Sequence, residues 1–353
     1  MALYKADSVA IDIEGLAAFI KARMYQDLFI SSNCYIFKTP TILGRINEKA
    51  YVPEAFSIGP FHHGRPEKNE CYAGPIGYSL DEFVRIIVID GCFIIELFRK
   101  IAYKELREKN DLIFTESCML SFLLHDLILL ENQVPWMVMD CLFNMTMDPT
   151  HNEPLIEPVK TFLHPFFFTE LLYGYPPITN GKHIVDVCRK LLVSSITGEK
   201  GQLDWTLPSA MILVEAGVKI KNGESKSFLD IKYENSVLEI PPLGIEETTE
   251  TLFQNIISFE QCCPDCELRF TSYTILLDNL INTSKDMDIL YKNKVIDSWL
   301  NPYDVVPFFN KLWPRWHAIL VRNYFNTQWA ILSTTAAAIL LFLSFLQTWY
   351  TIY

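Results

Sequence analysis

Cys263-Pro264-Asp265-Cys266 sets two thiols three positions apart, the spacing of a redox disulfide or of half a zinc site. A zinc site needs a second such pair, and the sequence has none. A thioredoxin-like motif needs a βαβ setting, which is also missing. The motif is therefore read as the end of one helix and the start of the next. His62-His63, in the run GPFHHG, offers two imidazoles for metal binding. Adjacent side chains point in different directions and need ligands from elsewhere, so a hydrogen-bonded loop role is the simpler reading.

Asp90, Asp126 and Glu131 lie inside apolar helical segments. A carboxylate buried without partners is strongly destabilising, so each should pair with an arginine or cap backbone groups. Two close acids can act as general acid and base, but no nucleophile or substrate pocket accompanies them. G-x-S-x-G, the P-loop, H-E-x-x-H and the dinucleotide fingerprint are all absent. A di-iron bundle needs Glu-x-x-His on two helices, and no His here follows a Glu at that spacing. Only Asp148 and His151 come near the pattern, in a proline-rich loop. No catalytic, cofactor-binding or metal-binding residue is designated, and no cofactor is expected.

The elements that position these groups are mostly helical. Apolar residues at helical spacing run through residues 8–30, with Ala17, Phe19, Ile20 and Met24 near one face. Residues 40–77, rich in Pro and Gly, read as loop with short elements. Ser79 with Glu82 forms a capping box before LDEFVRIIVIDGCFIIELFRKIAYKELREK, apolar nearly all round until its basic end. A core helix pair spans 117–147 and breaks at Pro135. Charges at Asp90, Glu96, Asp126, Glu131 and Asp140 keep these runs below the roughly 18 residues of a membrane span. The prolines of 148–177 mark a soft boundary between two halves.

From Ala216 to Pro242 the period becomes alternating. Val218 and Ile220 precede the turn signal Asn222-Gly223, and Leu238 and Ile240 follow Asn235-Ser236. This predicts a small antiparallel sheet of two or three strands. Helices resume after EETTE, and Thr283 with Asp286 caps another. The expected class is mainly α (α+β): a multi-helix domain over 1–325, a small antiparallel sheet near 218–240 and a C-terminal transmembrane helix.

Half the residues are hydrophobic, enough for a sizeable core and too many for intrinsic disorder. The formal net charge of −12, without a long basic tract, argues against nucleic-acid binding. The nine cysteines, odd in number and scattered, do not form a disulfide framework. The acidic amino terminus has no apolar h-region of a secretory signal. These features fit a reducing, cytosolic environment, in which the sequons at Asn144 and Asn282 stay unmodified.

From Asn323 to Tyr353, 31 residues carry no charged side chain. Within them, Trp329 to Trp349 spans about 30 Å as a helix, the thickness of a bilayer core. The two tryptophans bracket the apolar run, and Lys311, Arg315 and Arg322 precede it. The positive-inside rule then leaves the amino-terminal side in the cytosol, as for a single-pass tail anchor. A soluble helix of this length normally shows a charged edge, and a lipid-anchor signal needs a signal peptide.

Six segments, in order along the chain, resemble a plant family built on domain of unknown function 247, also called uncharacterised protein family 0481. They are YVPEAFSIGPFHHGRP (51–66), DEFVRIIVIDGCFIIELFRK (81–100), HDLILLENQVPW (125–136), LVEAGVKIK (213–221), VLEIPPLGIEETTETLFQNIISFEQC (237–262) and RNYFNTQWAILSTTAAAILLFLSFLQT (322–348). The resemblance implies one domain with a C-terminal membrane helix, and no known activity, cofactor or catalytic residue. Some grass members are associated with self-incompatibility, a recognition role. In the family a helical stretch separates the first motif from the second; here it is missing near 66–71. The expected function is a membrane-tethered, non-enzymatic recognition or signalling-associated module, contacting the bilayer and an unidentified protein. The alternatives are an enzyme using His62, His63 or the buried carboxylates, and a partly deleted, non-functional paralogue.

Overall fold

The structure, a computed structural model, describes residues 15, 17–21, 36–44, 47–60, 72–73, 79–116, 118–146, 153–164, 181–194, 207–225, 227–246, 248–298, 306 and 309. Its principal helices are α1 (Leu80–Ala102), α2 (Met119–Leu127), α3 (Trp136–Met145), α4 (Ile156–Leu163) and α5 (Ile184–Ser194). They continue with α6 (Ala210–Glu215), α7 (Thr249–Cys262), α8 (Arg269–Leu280) and α9 (Ser284–Lys292). Single helical turns form at Thr41–Gly44, Glu48–Tyr51, Lys104–Leu106 and Leu112–Thr115. The mainly helical class is as expected.

Helix α1 starts where the capping box places it. The Ser79 hydroxyl accepts from the Glu82 N–H, and the Glu82 carboxylate accepts from the Ser79 N–H at 3.0 Å. Asp81 and Glu82 in its first turn, and Arg99 and Lys100 in its last, complement the helix dipole. Its exposed positions, Asp81, Glu82, Arg85, Ile89 and Glu96, lie on one face, while Phe83, Val84, Ile87, Val88, Ile94, Leu97 and Phe98 are buried. The buried faces meet α3 and α4, with the Phe98 and Phe162 rings 4.9 Å apart. At its other face the Arg99 guanidinium lies over the Phe143 ring, 5.0 Å from its centroid.

Helix α7 lies deepest. From Thr251 to Glu260 every side chain is buried, and the helix touches α5, α8 and the turn at Glu48–Tyr51. A helix buried on all sides must place each of its polar groups on a partner. One continuous apolar core runs from Ile20 and Ile36 through α1 to α5 and on to Leu290, Ile296 and Phe309. Both sides of the proline-rich segment 148–177 contribute to it, with α4 inside that segment.

The small sheet forms where the alternating pattern indicated, but not all its strands are antiparallel. Strands β3 (Lys219–Asn222), β4 (Lys232–Glu234) and β5 (Val237–Ile240) lie in the order β3-β5-β4. The β4–β5 hairpin is antiparallel, closed at Asn235 and Ser236, both in the left-handed region with φ of 51° and 61°. Strand β3 runs parallel to β5 instead of folding back at Asn222-Gly223. The chain leaves Gly223, whose N–H donates to the Ile240 carbonyl, and passes through a turn that buries Leu229 before β4 begins. A parallel pairing of β3 with β5 needs a connection longer than a two-residue turn.

Two further parallel pairs join distant segments: β1 (Ile36–Phe37) with β2 (Tyr72–Ala73), and β6 (Leu243–Ile245) with β7 (Ile296–Ser298). Residues 15 and 17–21 are helical, and the rest of the expected helix over 8–30 lies outside the described residues, as does the expected membrane span 329–349. Among the described residues no helix is long and apolar enough to cross a membrane.

Gly91 marks the closest approach of α1 to α3. A Cβ there would sit 2.6 Å from Leu142 Cδ1, with Val138 Cγ1 behind it at 3.9 Å. Glycine in a helix interior costs about 1 kcal/mol against alanine, so its presence here reflects packing. Gly91→Val should destabilise the protein by about 2 kcal/mol, read as a lowered urea midpoint at unchanged slope.

Candidate functional site

Segment 47–60 has little regular structure, so its backbone N–H groups need side-chain partners. Those partners come from α1, from the end of α2 and from the connection between α2 and α3. Asp126, fully buried near the end of α2, accepts from the N–H groups of Glu54, Ala55 and Phe56 at 2.8, 2.9 and 2.7 Å. Asn132 accepts from Ile58 N–H and donates to the carbonyls of Phe56 and Asp126. Asp90 accepts from Gly59 N–H at 2.8 Å, and Glu131 accepts from Thr39 N–H at 2.8 Å.

Helix α7 completes this network from below. Asn255 accepts from Leu130 N–H and donates to the Ala50 carbonyl, while the Ser258 hydroxyl donates to Tyr51 Oη. Burial pushes the Tyr51 phenol up to about 12, so it stays neutral. Burial also works to raise the Asp126 pKa. The hydrogen bond from His125 Nδ1 and the three backbone N–H groups outweigh it and hold the carboxyl below its ordinary value.

A second polar cluster lies where α5, α7 and α8 meet. Glu260, buried on α7, pairs with Arg189 Nε of α5 at 2.7 Å. It also accepts from the N–H groups of Phe270 and Thr271 and from the Thr271 hydroxyl, capping the start of α8. Arg189 reaches the Glu267 carbonyl with its other arm. Between α7 and α8, Cys263 and Cys266 are joined as a disulfide with their Cα atoms 5.3 Å apart. The Lys182 ammonium lies 3.3 Å from Cys263 Sγ.

Lys182 is placed by the chain just before α5. Its N–H donates to Asp186, its carbonyl accepts from Trp136 N–H at 2.8 Å, and Gly181 beside it packs closely on Trp136 and Val187. Burial lowers the Lys182 pKa, against the opposing charges of Asp186 and Asp265.

Asp90 and Asp126 thus converge on the irregular segment 47–60 and Glu131 caps Thr39, so all three cap backbone groups, one of the two outcomes expected of them. The buried arginine–carboxylate pair forms elsewhere, at Arg189 and Glu260. Cys263 closes α7 and Cys266 precedes α8, as expected, and the two are also bonded to each other. Among the described residues Cys92, Cys118, Cys188 and Cys262 are free thiols. His62 and His63 lie outside the described residues. Among the described residues no three His, Cys, Asp or Glu side chains come together to hold a metal ion.

Four further residues hold these clusters together: Asn132, Asn255, Glu260 and Lys182. The first three stand out as polar residues within apolar runs, a signal for buried hydrogen bonding. Lys182 carries no such signal, because its partner is 81 residues away.

The Asp126 shift sets an acid dependence. The folded carboxyl titrates below its unfolded value, so the unfolded chain takes up the proton first as pH falls. Its stabilisation is complete above about pH 5 and is lost as pH falls through about 4 towards the lower folded value. Asp126→Asn should cost about 3 kcal/mol at neutral pH by weakening charge-assisted bonds. It should also flatten the loss of stability between pH 5 and 3 in urea titrations. Asp286, held low despite burial by the Met211 N–H and the Thr283 and Ser209 hydroxyls, keeps part of the slope.

A UPF0481 protein of Arabidopsis thaliana is 22% identical over 410 aligned positions, which cover 90% of this chain and 86% of that protein. The alignment is longer than the 353-residue chain, so that relative carries segments absent here. A putative UPF0481 protein of the same plant is 25% identical over 190 positions, covering 45% of this chain and 36% of the relative. No solved structure matches. The model of a plant protein family of unknown function, DUF247, matches residues 65–313, and the chain belongs to that family.

Proposed function

We propose that the chain is a membrane-tethered protein whose helical domain faces the cytosol as a non-enzymatic recognition or signalling-associated module. The observation that carries this reading is the use made of the carboxylates within the fold. Asp90, Asp126, Glu131 and Glu260 all accept hydrogen bonds from backbone N–H groups. Asp126, kept ionised by its partners, is a poor proton shuttle at neutral pH. The polar interior therefore serves shape, and a domain of fixed shape suits recognition of a protein partner.

The tether rests on the 31 uncharged residues from Asn323, with Trp329 and Trp349 at the two interfaces of the span. Lys311, Arg315 and Arg322 on its amino-terminal side support the cytosolic orientation.

Full-length protein in sealed microsomes should stay in the membrane pellet after an alkaline wash. Protease added outside should remove its amino-terminal domain, and deleting residues 329–349 should release the protein to the supernatant. Protection of the domain inside the vesicles would overturn the orientation. Release of the full-length chain by the wash would overturn the tether.

A further inference from the structure

Cys263 and Cys266 differ in access. Cys263 is only 3% exposed at the C-cap of α7, whereas Cys266 is half-buried and flanked by exposed Pro264, Asp265 and Glu267. A thiolate arriving from solvent therefore meets Cys266 first. The C-terminal end of a helix carries partial negative charge and disfavours an anion at Cys263. The Lys182 ammonium, 3.3 Å from Cys263 Sγ, offsets that field. Arg189 and Lys190 add positive charge around Lys182, and Asp186 and Asp265 add negative charge.

We propose that Cys263 and Cys266 form a thiol-exchangeable disulfide in which Lys182 stabilises the Cys263 thiolate released on reduction. The co-reactant is a dithiol. One of its thiolates attacks Cys266 Sγ, forming a mixed disulfide as the Cys263–Cys266 bond breaks. The bonding pair leaves on Cys263 Sγ, where the ammonium faces it. The second thiol of the co-reactant then attacks its own sulfur in the mixed disulfide and releases Cys266. Two electrons and two protons pass from the dithiol to the protein, and the dithiol becomes a disulfide. The reverse sequence reoxidises the pair.

The neighbouring Cys262 does not compete. Burial pushes its thiol up to about 11, which leaves it protonated and a weak nucleophile at neutral pH. Cys188, fully buried, is pushed up further still. Neither of these two cysteines therefore takes part in the exchange. Reduction frees the α7–α8 turn next to the Arg189–Glu260 pair, so the oxidation state bears on how α8 is seated.

The test equilibrates the full-length protein in detergent with mixtures of reduced and oxidised dithiothreitol. Free thiols are trapped with a maleimide, and the labels are located by peptide mass. Wild type should pass reversibly between both states, with Cys263 and Cys266 labelled together. Lys182→Met should move the equilibrium at least fivefold towards the disulfide, and Lys182→Arg should restore it to within twofold of wild type. Circular dichroism establishes that each variant is folded. If Lys182→Met does not fold, the Cys263 thiolate absorbance of Cys266→Ser, with Lys or Arg at position 182, decides; a normal thiol titration in both overturns the proposal. It is also overturned if the pair resists reduction, never oxidises, or titrates equally in wild type and Lys182→Met.

Discussion

The fold depends on satisfying the backbone of a segment that has almost no regular structure. Residues 47–60 lie against the core, with Ala50, Tyr51 and Ile58 to Pro60 buried, and unpaired N–H groups shielded there from water are costly. Asp126 meets three of them in a row, Asn132 meets a fourth and Asp90 a fifth. An ionised carboxylate suits this task because each charge-assisted bond outweighs a neutral one. The same contacts bind α1 and the α2–α3 connection to the segment, so local capping also sets long-range packing.

Helix α7 extends that logic across the domain. Being buried on all sides, it cannot place Asn255, Ser258 or Glu260 in water, and each side chain fastens a neighbouring segment. Asn255 holds the turn at Glu48–Tyr51 to the α2–α3 connection, and Glu260 joins α5 to the first turn of α8. Gln133 links the two networks, because its carbonyl oxygen accepts from Val185 N–H at the start of α5 while its amide donates to Leu127 and Leu129. Removing one member of such a network leaves a buried partner unsatisfied, which costs more than the lost bond alone.

These networks shape the functional reading. Groups that are suited to acid–base chemistry by type are held in place by the backbone they cap. The Cys263–Cys266 bridge differs, since its sulfurs sit at the edge of the network with a cation beside the inner one. It is also the place where a chemical change could reach the seating of α8 without disturbing Asp126 and its loop.

The helical class, the capping boxes at Ser79 and Thr283, the break at Pro135 and the hairpin at Asn235-Ser236 were all legible in the residues. Each depends on side chains within a few positions of one another, and local chemistry is written locally. The burial of acids in apolar runs also told that they must find partners. Which partners they found was decided by tertiary structure: Asp126 bonds backbone about 70 residues away, and Asn255 about 205. Parallel pairing of β3 with β5, of β1 with β2 and of β6 with β7 was equally hidden, because parallel strands need long connections that leave no turn signal. The Cys263–Cys266 spacing was plain in the sequence, but the ammonium that gives it a chemical meaning arrives only when α5 packs beside α7.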